Sequence, residues 1–282
     1  MQVHRKRLDI LDDVAVLKKQ HASIGFVPTM GALHKGHLAL IQRALEENEH
    51  VIVSIFVNPT QFNNTEDLDN YPRTLDNDIA LLSEVSNEII VFAPSAKEVY
   101  KDDISSTNYH FDGLEHEMEG KYRPGHFDGV GTVLKHLFDM VSPDRAYFGE
   151  KDFQQLQIVR KLVEIEQLPI QIVGCPIYRE ESGLALSSRN KRLTKEQYDE
   201  SPLIHKILKQ VQKDFGTKSV TTLNDWVSEQ FEDNNHLSLE YFEIANVLDL
   251  KSIQQKQENT KYRAFIAVFA GEIRLIDNIA LN

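Results

Sequence analysis

Residues 24–45 read IGFVPTMGALHKGHLALIQRAL, and their pattern indicates the fold class. The short apolar run at 24–27 ends before Pro28, and the turn that follows contains Gly31. Beyond the turn, apolar residues recur at the spacing of one helical face, namely Leu38, Ile41, Ala44 and Leu45. The segment is therefore predicted to form a β-strand, a loop and an α-helix, in that order.

The same alternation continues along the chain. Apolar runs predict four more strands, at 50–57, 88–93, 145–148 and 170–175. Helical periodicity separates them at 75–85, at 130–141 and at about 152–167. Alternating strands and helices are typical of a parallel sheet covered by helices. The predicted fold class is α/β, with a doubly wound, Rossmann-like parallel sheet.

The pattern changes near Pro176. Charged helices are predicted at about 194–215 and 222–232, and strands at 239–245, 263–270 and 272–276, the last two joined by a tight turn around Gly271. Thr194 and Gln197 have the spacing of a capping box. We therefore expect a Rossmann-like domain over residues 1–176 and a smaller C-terminal α+β domain over residues 177–282.

The composition is that of a globular, enzyme-sized protein. Of the 282 residues, 41% are hydrophobic and 26% are charged, both near globular averages. The chain has 31 basic and 43 acidic residues, and its formal charge of −12 repels polyanions, so nucleic acid is not an expected partner. A small phosphorylated ligand remains compatible with this charge, because a few cationic groups in a cleft outweigh the global sum.

Residue usage also bears on the compartment. The single cysteine, Cys175, cannot form an internal disulfide or a zinc site of several thiolates. Residues 1–20 mix charges with scattered apolar residues and lack the continuous apolar stretch of a signal peptide. The longest strongly apolar run, at 51–57, is far shorter than the roughly 20 residues that cross a bilayer. We expect a cytoplasmic protein without a membrane partner.

Two histidines stand where the first predicted strand meets the following helix. Ligands of parallel sheets bind at the carboxyl ends of strands, and the first turn of a helix offers N–H groups and a positive dipole end to phosphate. His34 and His37 can face one side there, and Gly36 permits a phosphate chain to approach the backbone. Alternatively, one histidine caps a turn and the other packs at the surface, or both bind a metal with a distant third ligand.

The usual phosphate-binding loops are missing from the sequence. No G-x-x-x-x-G-K-[ST] motif occurs. The segment Gly129-Val-Gly131 lacks a third glycine and opens a predicted helix outside any phosphate-loop context. P-loop chemistry of the kinase type is therefore disfavoured.

Six motifs resemble those of one enzyme family. In chain order they are PTMGALHKGH at 28–37, FVNPTQF at 56–62, YPRT at 71–74, RPGHF at 123–127, FGEKDFQQ at 148–155 and SSRN at 187–190. The first contains the His-x-Gly-His pattern of the nucleotidylyltransferase superfamily, and the six together resemble the pantothenate synthetase family. The resemblance covers about residues 26–190, and RLIDNI at 274–279 is similar to the family's last strand.

The resemblance implies a ligase that condenses pantoate with β-alanine at the cost of ATP. The products would be pantothenate, AMP and pyrophosphate, and the intermediate a bound pantoyl adenylate. Mg²⁺ would accompany the ATP. Family members are commonly homodimers, so a homodimer is expected.

The resemblance also assigns roles to residues. It implies catalytic roles for His34, His37, Lys151, Ser187, Ser188 and Arg189. Of these, His37 would be the acid that helps pyrophosphate leave. ATP contacts are implied for Met30, Gly31, Ala32, Leu33, His34, Lys35, Gly36, His37, Gly149, Glu150, Lys151, Asp152, Tyr178, Leu186, Ser187, Ser188 and Arg189. Two anions must meet at the α-phosphorus, so cationic and hydrogen-bonding side chains suit the site.

Two glutamines follow predicted strands. Gln61 and Gln155 donate and accept at once, which suits a substrate with two hydroxyls and a carboxylate. By resemblance they bind pantoate together with Met30, and Gln61 also borders the β-alanine site. The residues implied to line or gate the pocket, each with a solvated surface position as the alternative, are Asn58, Tyr71, Arg123 and His126. Asp152 would orient Lys151 or help hold magnesium, with a helix N-cap as an equally good interpretation.

An acyl adenylate hydrolyses in water, so the pocket must exclude solvent until the amine attacks. Two parts of the chain are candidate lids. One is the segment 61–73, which is polar at Asn63, Asn64, Glu66, Asp67 and Asp69. The other is the C-terminal domain, near whose start the SSRN motif lies.

The sequence departs from the family pattern at two positions. Leu186 stands where the family usually has methionine, a nearly volume-conserving change, and Tyr178 replaces a smaller apolar residue near the adenine. Two other functions remain open: another nucleotidylyltransferase with a different acceptor, and a catalytically inactive nucleotide sensor. Another nucleotidylyltransferase would not explain why Gln61, Gln155 and the FGEKD run at 148–152 occur together. An inactive sensor could dispense with Lys151 and the serines at 187 and 188, all of which are present.

Overall fold

The structure is a computed structural model that describes residues 1–62 and 68–282. The chain divides into two compact units. The first consists of Met1–Glu150 and Gln154–Pro176, and the second of Lys151–Phe153 and Ile177–Asn282. The division after Pro176 lies where the sequence pattern changes. The grouping of Lys151–Phe153 with the second unit has no counterpart in the sequence prediction.

A parallel sheet forms the centre of the first unit. Its strands are β1 Gln2–His4, β2 Ile24–Thr29, β3 His50–Ile55, β4 Ile90–Phe92, β5 Arg145–Gly149 and β6 Gln171–Cys175. They lie in the order β1-β4-β3-β2-β5-β6, and neighbouring strands are parallel. The order changes direction between β2 and β5, and in such sheets the crevice outside the carboxyl ends of the diverging strands binds ligands. The predicted α/β class with a Rossmann-like sheet is confirmed.

Helices connect the strands of this sheet, and the longer ones cover it. The helices are α1 Arg7–Lys19, α2 Lys35–Glu47, α3 Leu75–Val85, α4 Ala96–Tyr100, α5 Glu119–Tyr122, α6 His126–Val141 and α7 Phe153–Ile165. Ile41 and Ala44 of α2 share one apolar core with Val27 of β2. On α6 the predicted apolar stripe is buried, and Phe138 packs edge-on against Phe26 with ring centroids 6.2 Å apart. The helical periodicity thus identifies the faces that cover the sheet.

Two parts of the first unit differ from the sequence prediction. β1 and α1 have no predicted counterpart, because β1 is only three residues long and the exposed Leu8 and Val16 obscure the helical period of α1. β2 continues through Pro28 instead of ending before it. β5 pairs with β2 only at Gly25 and Phe26, so this neighbour does not require the N–H that Pro28 lacks.

The second unit packs helices on an antiparallel sheet. Its elements are the helices α8 Lys195–Glu200, α9 Leu203–Asp214 and α10 Val220–Glu232 and the strands β7 Ser238–Asn246, β8 Tyr262–Ala270 and β9 Ile273–Ala280. β8 lies between β7 and β9, and Gly271, with φ +61°, makes the turn that joins β8 to β9. Leu208 and Val211 of α9 share a core with Ile266 of β8. The predicted α+β architecture of this part is confirmed.

The single helix predicted over about 194–215 is two helices. α8 ends at Glu200 and α9 begins at Leu203, with Pro202 between them. Proline has no N–H to donate and its ring clashes with the preceding turn, so one helix cannot run through it. The predicted capping box is confirmed, since the Gln197 N–H donates to Thr194 Oγ1 at 3.3 Å and the Thr194 N–H to Gln197 Oε1 at 3.0 Å. Among the helices that the structure describes, none has the length and apolar composition to cross a membrane.

Candidate active site

The loop between β2 and α2 has an unusual backbone conformation. Gly31 and Ala32 both have positive φ, +85° and +50°, in a region that residues with a β-carbon rarely occupy. A β-carbon at position 31 would lie 3.0 Å from Asp78 Oδ2 and 3.1 Å from Ile55 Cγ2. Glycine is therefore required at position 31 by conformation and by space, whereas Ala32 needs support from its surroundings.

Asp78, in the first turn of α3, gives this support. Its carboxylate is only 1% exposed. It accepts the N–H of Ala32 at 3.0 Å and of Leu33 at 2.7 Å, and Thr74 Oγ1 donates to it at 3.2 Å. Hydrogen bonds to a charged acceptor are about twice as strong as neutral ones, so Asp78 fixes the loop. The sequence prediction did not include Asp78. It lies four residues before Leu82, on the same buried helical face, and an acid on such a face is a signal that could have identified it.

His34 and His37 meet at the amino end of α2. The His34 N–H donates to His37 Nδ1 at 3.3 Å, and the Gly36 N–H donates to His34 Nδ1 at 3.2 Å. The two rings stack with centroids 4.0 Å apart and an interplanar angle of 26°. Both histidines therefore cap the helix, and the same contacts fix their rings where the helix dipole is positive.

These contacts determine which ring nitrogen can donate. A backbone N–H only donates, so Nδ1 of each histidine is an acceptor. In the neutral form each ring then carries its proton on Nε2. The amino end of α2 thus presents two Nε2–H donors, the type of group that phosphate oxygens accept.

A second cluster surrounds Gln61, in the turn after β3. Gln61 Nε2 lies 3.0 Å from Met30 Sδ, and its Oε1 accepts from Asn58 Nδ2 at 3.1 Å. Asn58 is buried, and its Nδ2 also donates to the Gly129 carbonyl at 3.1 Å. The Tyr100 hydroxyl donates to Asn58 Oδ1. Contacts at Oδ1 and at Nδ2 thus fix the orientation of the Asn58 amide. Asn58 in turn fixes the orientation of the Gln61 amide.

Tyr100, at the end of α4, is the donor that orients Asn58. Burial raises the pKa of its hydroxyl above the ordinary value, so the hydroxyl keeps its proton. Thr60 Oγ1 lies 2.9 Å from this hydroxyl and 3.1 Å from Asn58 Oδ1. The Tyr100 ring packs edge-on against His136, with centroids 5.3 Å apart. The sequence prediction did not include Tyr100, because a tyrosine at a short helix end has no distinguishing pattern.

His126, at the start of α6, and Arg123, just after α5, contact the backbone of Gln61. His126 Nδ1 lies 2.9 Å from the Gln61 carbonyl oxygen, and Arg123 Nη2 donates to the same oxygen at 3.4 Å. A β-carbon at Gly129 would lie 2.4 Å from the Thr60 carbonyl oxygen, so the helix approaches this segment only because residue 129 is glycine. The structure therefore brings the predicted pocket residues Arg123 and His126 to Gln61.

The other predicted residues of the first unit lie around these clusters. Gln155, on α7, is half-buried, and its amide makes no hydrogen bond to another residue within 1–62 and 68–282. The amide of its neighbour Gln154, by contrast, is used internally and donates to two carbonyls at 2.8 and 2.7 Å. The Tyr71 ring packs edge-on against Phe62, with centroids 5.8 Å apart. Gly149 and Glu150, where β5 ends, are half-buried. Lys35, in the first turn of α2, is exposed.

The predicted lid segment 61–73 is described only in part. Of its polar residues, Asn63, Asn64, Glu66 and Asp67 lie outside the described residues. Asp69 is exposed, and its carbonyl accepts from Arg73 Nη1 at 3.2 Å. A lid role of this segment stays a prediction.

In the second unit, the predicted catalytic Lys151 contacts the last strand. Its carbonyl oxygen accepts from Asn278 Nδ2 at 2.8 Å. Its Nζ lies 3.6 Å from Asp152 Oδ1, and the Asp152 side chain is 52% exposed. An ion pair this exposed contributes little to stability. The position of Lys151 is therefore set more by its backbone contact than by its carboxylate neighbour.

The predicted serines and arginine open a short 3-10 helix. Ser187 caps it, since its Oγ accepts from the Arg189 N–H at 3.3 Å. Asn190, the last residue of the motif, is buried and donates from Nδ2 to the Ala185 carbonyl at 3.0 Å. Ser188 is half-buried. Side chains of the motif thus hold its own backbone.

The two positions that depart from the family pattern lie opposite each other in a narrow hairpin. The Leu186 N–H donates to the Tyr178 carbonyl at 3.0 Å, and Arg179 pairs with Ala185. The Tyr178 side chain is 40% exposed, so its bulk extends toward solvent within this unit. Arg179 holds the hairpin to β9 through two hydrogen bonds to Asp277, at 2.6 and 2.9 Å.

The acidic and histidine side chains do not form a metal cluster in the part of the chain that the structure describes. No group of three or more His, Cys, Asp or Glu residues there is arranged to hold a metal ion. The metal-site alternative for His34 and His37 thus gains no third ligand. Asp152 is a single, exposed carboxylate of the kind that completes a Mg²⁺ site together with substrate phosphates.

The chain resembles known proteins along its whole length. The family model described as pantoate-beta-alanine ligase matches residues 2–280. The chain belongs to the pantoate–β-alanine ligase family. A pantothenate synthetase from Christiangramia forsetii is 55% identical to it over 282 residues, which cover 100% of both chains.

Solved structures of pantoate–β-alanine ligases share the fold. Pantothenate synthetase from Thermus thermophilus is 39% identical and matches with a TM-score of 0.90, over 100% of this chain and 99% of that chain. Pantoate-beta-alanine ligase from Francisella tularensis, complexed with beta-gamma ATP and β-alanine, is 37% identical and gives a TM-score of 0.82, over 100% and 98%. The predicted family is confirmed, and with it the prediction of a ligase.

Proposed function

We propose that this ligase joins pantoate to β-alanine with consumption of ATP, through a pantoyl adenylate. The observation that carries the proposal is the fixed pair of His34 and His37, with an Nε2–H donor on each ring at the amino end of α2. Membership of the pantoate–β-alanine ligase family supports it. The Francisella tularensis complex supports ATP and β-alanine as two of the substrates.

In the first half-reaction, a carboxylate oxygen of pantoate attacks the α-phosphorus of ATP. The bond from this phosphorus to the bridging oxygen breaks, and pyrophosphate leaves with the bonding electrons. Negative charge grows on the leaving group, so donors already in place lower the barrier. His34 and His37 donate hydrogen bonds from Nε2, and the donor on His37 assists the departure of pyrophosphate. The remaining donors to the phosphates are Lys151, Ser187, Ser188 and Arg189.

Pantoate lies against Gln61, Gln155 and Met30 in this proposal. Asn58 donates to Gln61 Oε1, so the Nε2 end of the Gln61 amide is the one that presents donors. This end lies 3.0 Å from Met30 Sδ, a weak acceptor that an oxygen of pantoate would replace. The amide of Gln155 supplies the second donor and acceptor pair.

In the second half-reaction, the amine of β-alanine attacks the carbonyl carbon of the adenylate. AMP leaves with the electrons of the carbon–oxygen bond, and the nitrogen loses a proton. Gln61 borders the amine. Water would compete for the same carbon, so we propose that the C-terminal domain, residues 177–282, acts as a lid during this step.

Magnesium, when bound with ATP, supplies charge neutralisation on the triphosphate oxygens. Asp152 is the residue that we propose to hold it, as one carboxylate beside substrate phosphates and water. Its carboxylate is exposed and lies 3.6 Å from Lys151 Nζ, a distance that also fits the alternative role of orienting the lysine head group.

The proposal extends to a homodimer in the cytoplasm. The sheet of the first unit ends in the edge strands β1 and β6, and an edge strand can pair with a second copy. Cys175 is buried and carries no disulfide, which suits a reducing compartment. Light scattering of the purified protein tests the dimer.

Exchange of labelled pyrophosphate into ATP tests the proposed function. We expect exchange when pantoate is present and none when it is withheld, because only adenylate formation is reversible in this way. Exchange that depends on a different acceptor would indicate another nucleotidylyltransferase. No exchange with any acceptor, but tight ATP binding, would indicate an inactive nucleotide sensor.

A further inference from the structure

Lys151 follows β5 in the chain, but its contacts belong to the second unit. Lys151–Phe153 group with Ile177–Asn282, whereas the residues on both sides, Glu150 and Gln154, group with the first unit. Side chains of β8 and β9 therefore hold this three-residue segment.

Asn278 on β9 makes the decisive contact. Its side chain is buried, with 2% exposed, and its Nδ2 donates to the Lys151 carbonyl oxygen at 2.8 Å. Its Oδ1 accepts from Nη1 of Arg263 on β8. A guanidinium can only donate, so Arg263 determines which end of the amide is oxygen. The Nδ2 end must then face Lys151.

The surroundings of Asn278 are themselves fixed. The Arg263 guanidinium lies 4.0 Å from the centroid of the Phe153 ring, a distance at which a cation and an aromatic face attract. The Asn278 N–H donates to Asp277 Oδ1 at 2.7 Å, and Arg179 holds the same carboxylate. Residues 151 and 153 are thus attached to one network of buried polar groups.

We infer that Asn278 is a positioning residue for Lys151 and acts through the backbone of residue 151. The inference rests on the proposed function, in which Lys151 Nζ contacts the phosphates of ATP. The lysine stem is long and flexible, so the place of its Cα limits where Nζ can reach. Loss of the Nδ2 donor frees that Cα, and a misplacement of about 1 Å can cost roughly 10² in rate.

The substitution N278D tests the inference. Aspartate keeps the shape of the side chain and the oxygen that faces Arg263, but it lacks the Nδ2 donor. We expect pantoate-dependent pyrophosphate exchange to fall about 10- to 100-fold in N278D. In a K151A background the same substitution should change the residual exchange less than about twofold, because the group that Asn278 positions is already gone.

N246D is the matched control. Asn246 lies on β7 of the same sheet, and its Oδ1 accepts from the Leu248 N–H at 2.9 Å, a contact that aspartate retains. We expect exchange by N246D to equal that of the wild type. If N278D is not folded at the assay temperature, N278S replaces it in the comparison between the wild-type and K151A backgrounds. Serine adds no charge beside the Lys151 carbonyl.

Three results would overturn the inference. They are wild-type exchange in N278D, an equal factor lost in the wild-type and K151A backgrounds, and undiminished exchange in K151A itself. An equal factor is what a merely structural role predicts, with melting temperatures lowered alike in both backgrounds. Absence of pantoate-dependent exchange in the wild-type protein would instead overturn the proposed function.

Discussion

At the β2–α2 loop, the carboxylate of Asp78 accepts the N–H groups of Ala32 and Leu33 and the hydroxyl of Thr74. An ionised carboxylate costs several kcal/mol to bury, and these donors offset that cost. They also maintain the positive φ of Ala32. At the scale of single residues, the site thus depends on hydrogen bonds that each need one specific atom.

The substitution D78N tests this dependence. Asparagine keeps one acceptor oxygen but places an NH₂ group against a backbone N–H, so we expect the free energy of unfolding to fall by about 1–3 kcal/mol. Urea denaturation measures it. D76N, an exposed acid in the same helical turn, is the control and should stay within about 0.5 kcal/mol of wild type. Equal stability of D78N and D76N would contradict the role given to Asp78.

The proposed role of His37 likewise depends on one atom, its Nε2. We expect H37A to lose about 10²- to 10³-fold in pyrophosphate exchange, the usual effect of removing one donor to developing charge. Its circular dichroism spectrum should match that of the wild type. Q42A, at an exposed position of the same helix, is the control and should show wild-type exchange. Undiminished exchange by H37A would remove His37 from the mechanism.

At the scale of elements, α4 and α6 bring their ends to the turn after β3. Tyr100 at the end of α4 orients Asn58, and Asn58 orients Gln61. His126 at the start of α6 reaches the Gln61 carbonyl. The sequence places these residues about 40 to 65 positions from Asn58 and Gln61, so only the packing of elements joins them.

The substitution Y100F removes one hydroxyl from this assembly. Asn58 then loses a donor to its Oδ1, and its amide and that of Gln61 become less fixed. We expect the KM for pantoate to rise about 3- to 10-fold, which corresponds to a net hydrogen bond of about 0.5–1.5 kcal/mol. Y147F is the control, since the buried Tyr147 hydroxyl bonds to Asn48 and lies outside the site. A KM that rises equally in both variants would refute a specific role of Tyr100.

The packing of α6 against Tyr100 also predicts a pH dependence of stability. Burial lowers the pKa of His136, so the folded protein binds its proton less readily than the unfolded chain. The unfolded chain then carries more protons as the pH falls through about 6.5, and stability is lost on the acid side. Urea denaturation at pH 7.5 and at pH 5.5 measures this. Between these two pH values, the free energy of unfolding of H136Q should fall by less than that of the wild type.

Burial also lowers the pKa of His205. Part of the wild-type pH dependence should therefore persist in H136Q, and the double variant H136Q/H205Q should lose still less on acidification. An acid-side loss that is the same in the wild type and H136Q would contradict the assignment to His136.

At the scale of the whole molecule, the periodic elements could be predicted from sequence and the connections between distant residues could not. The apolar stripe of α6 and the capping box at Thr194 follow local patterns, and both are present. Asp78, Tyr100 and Asn278 have no local pattern, because their partners lie far away along the chain. The motifs marked Lys151, but nothing in them indicated that it groups with the second unit.

The proposed lid predicts a change in protease sensitivity of the whole chain. If the C-terminal domain closes during the reaction, ATP and pantoate together should slow tryptic cleavage several-fold, and either one alone should slow it less. Gel analysis of timed digests measures this. Identical cleavage rates with and without both substrates would count against a lid.

The glycine at position 129 has a consequence for attempts to change the acceptor acid. Helix α6 rests on the main chain of Thr60 and Gln61 there, with no room for even a methyl group. Variant libraries designed to accept larger or smaller acids in place of pantoate should keep glycine at position 129. A side chain there would displace the main chain of the turn that carries Gln61. Variation belongs instead at side chains that do not hold the main chain of residues 60 and 61.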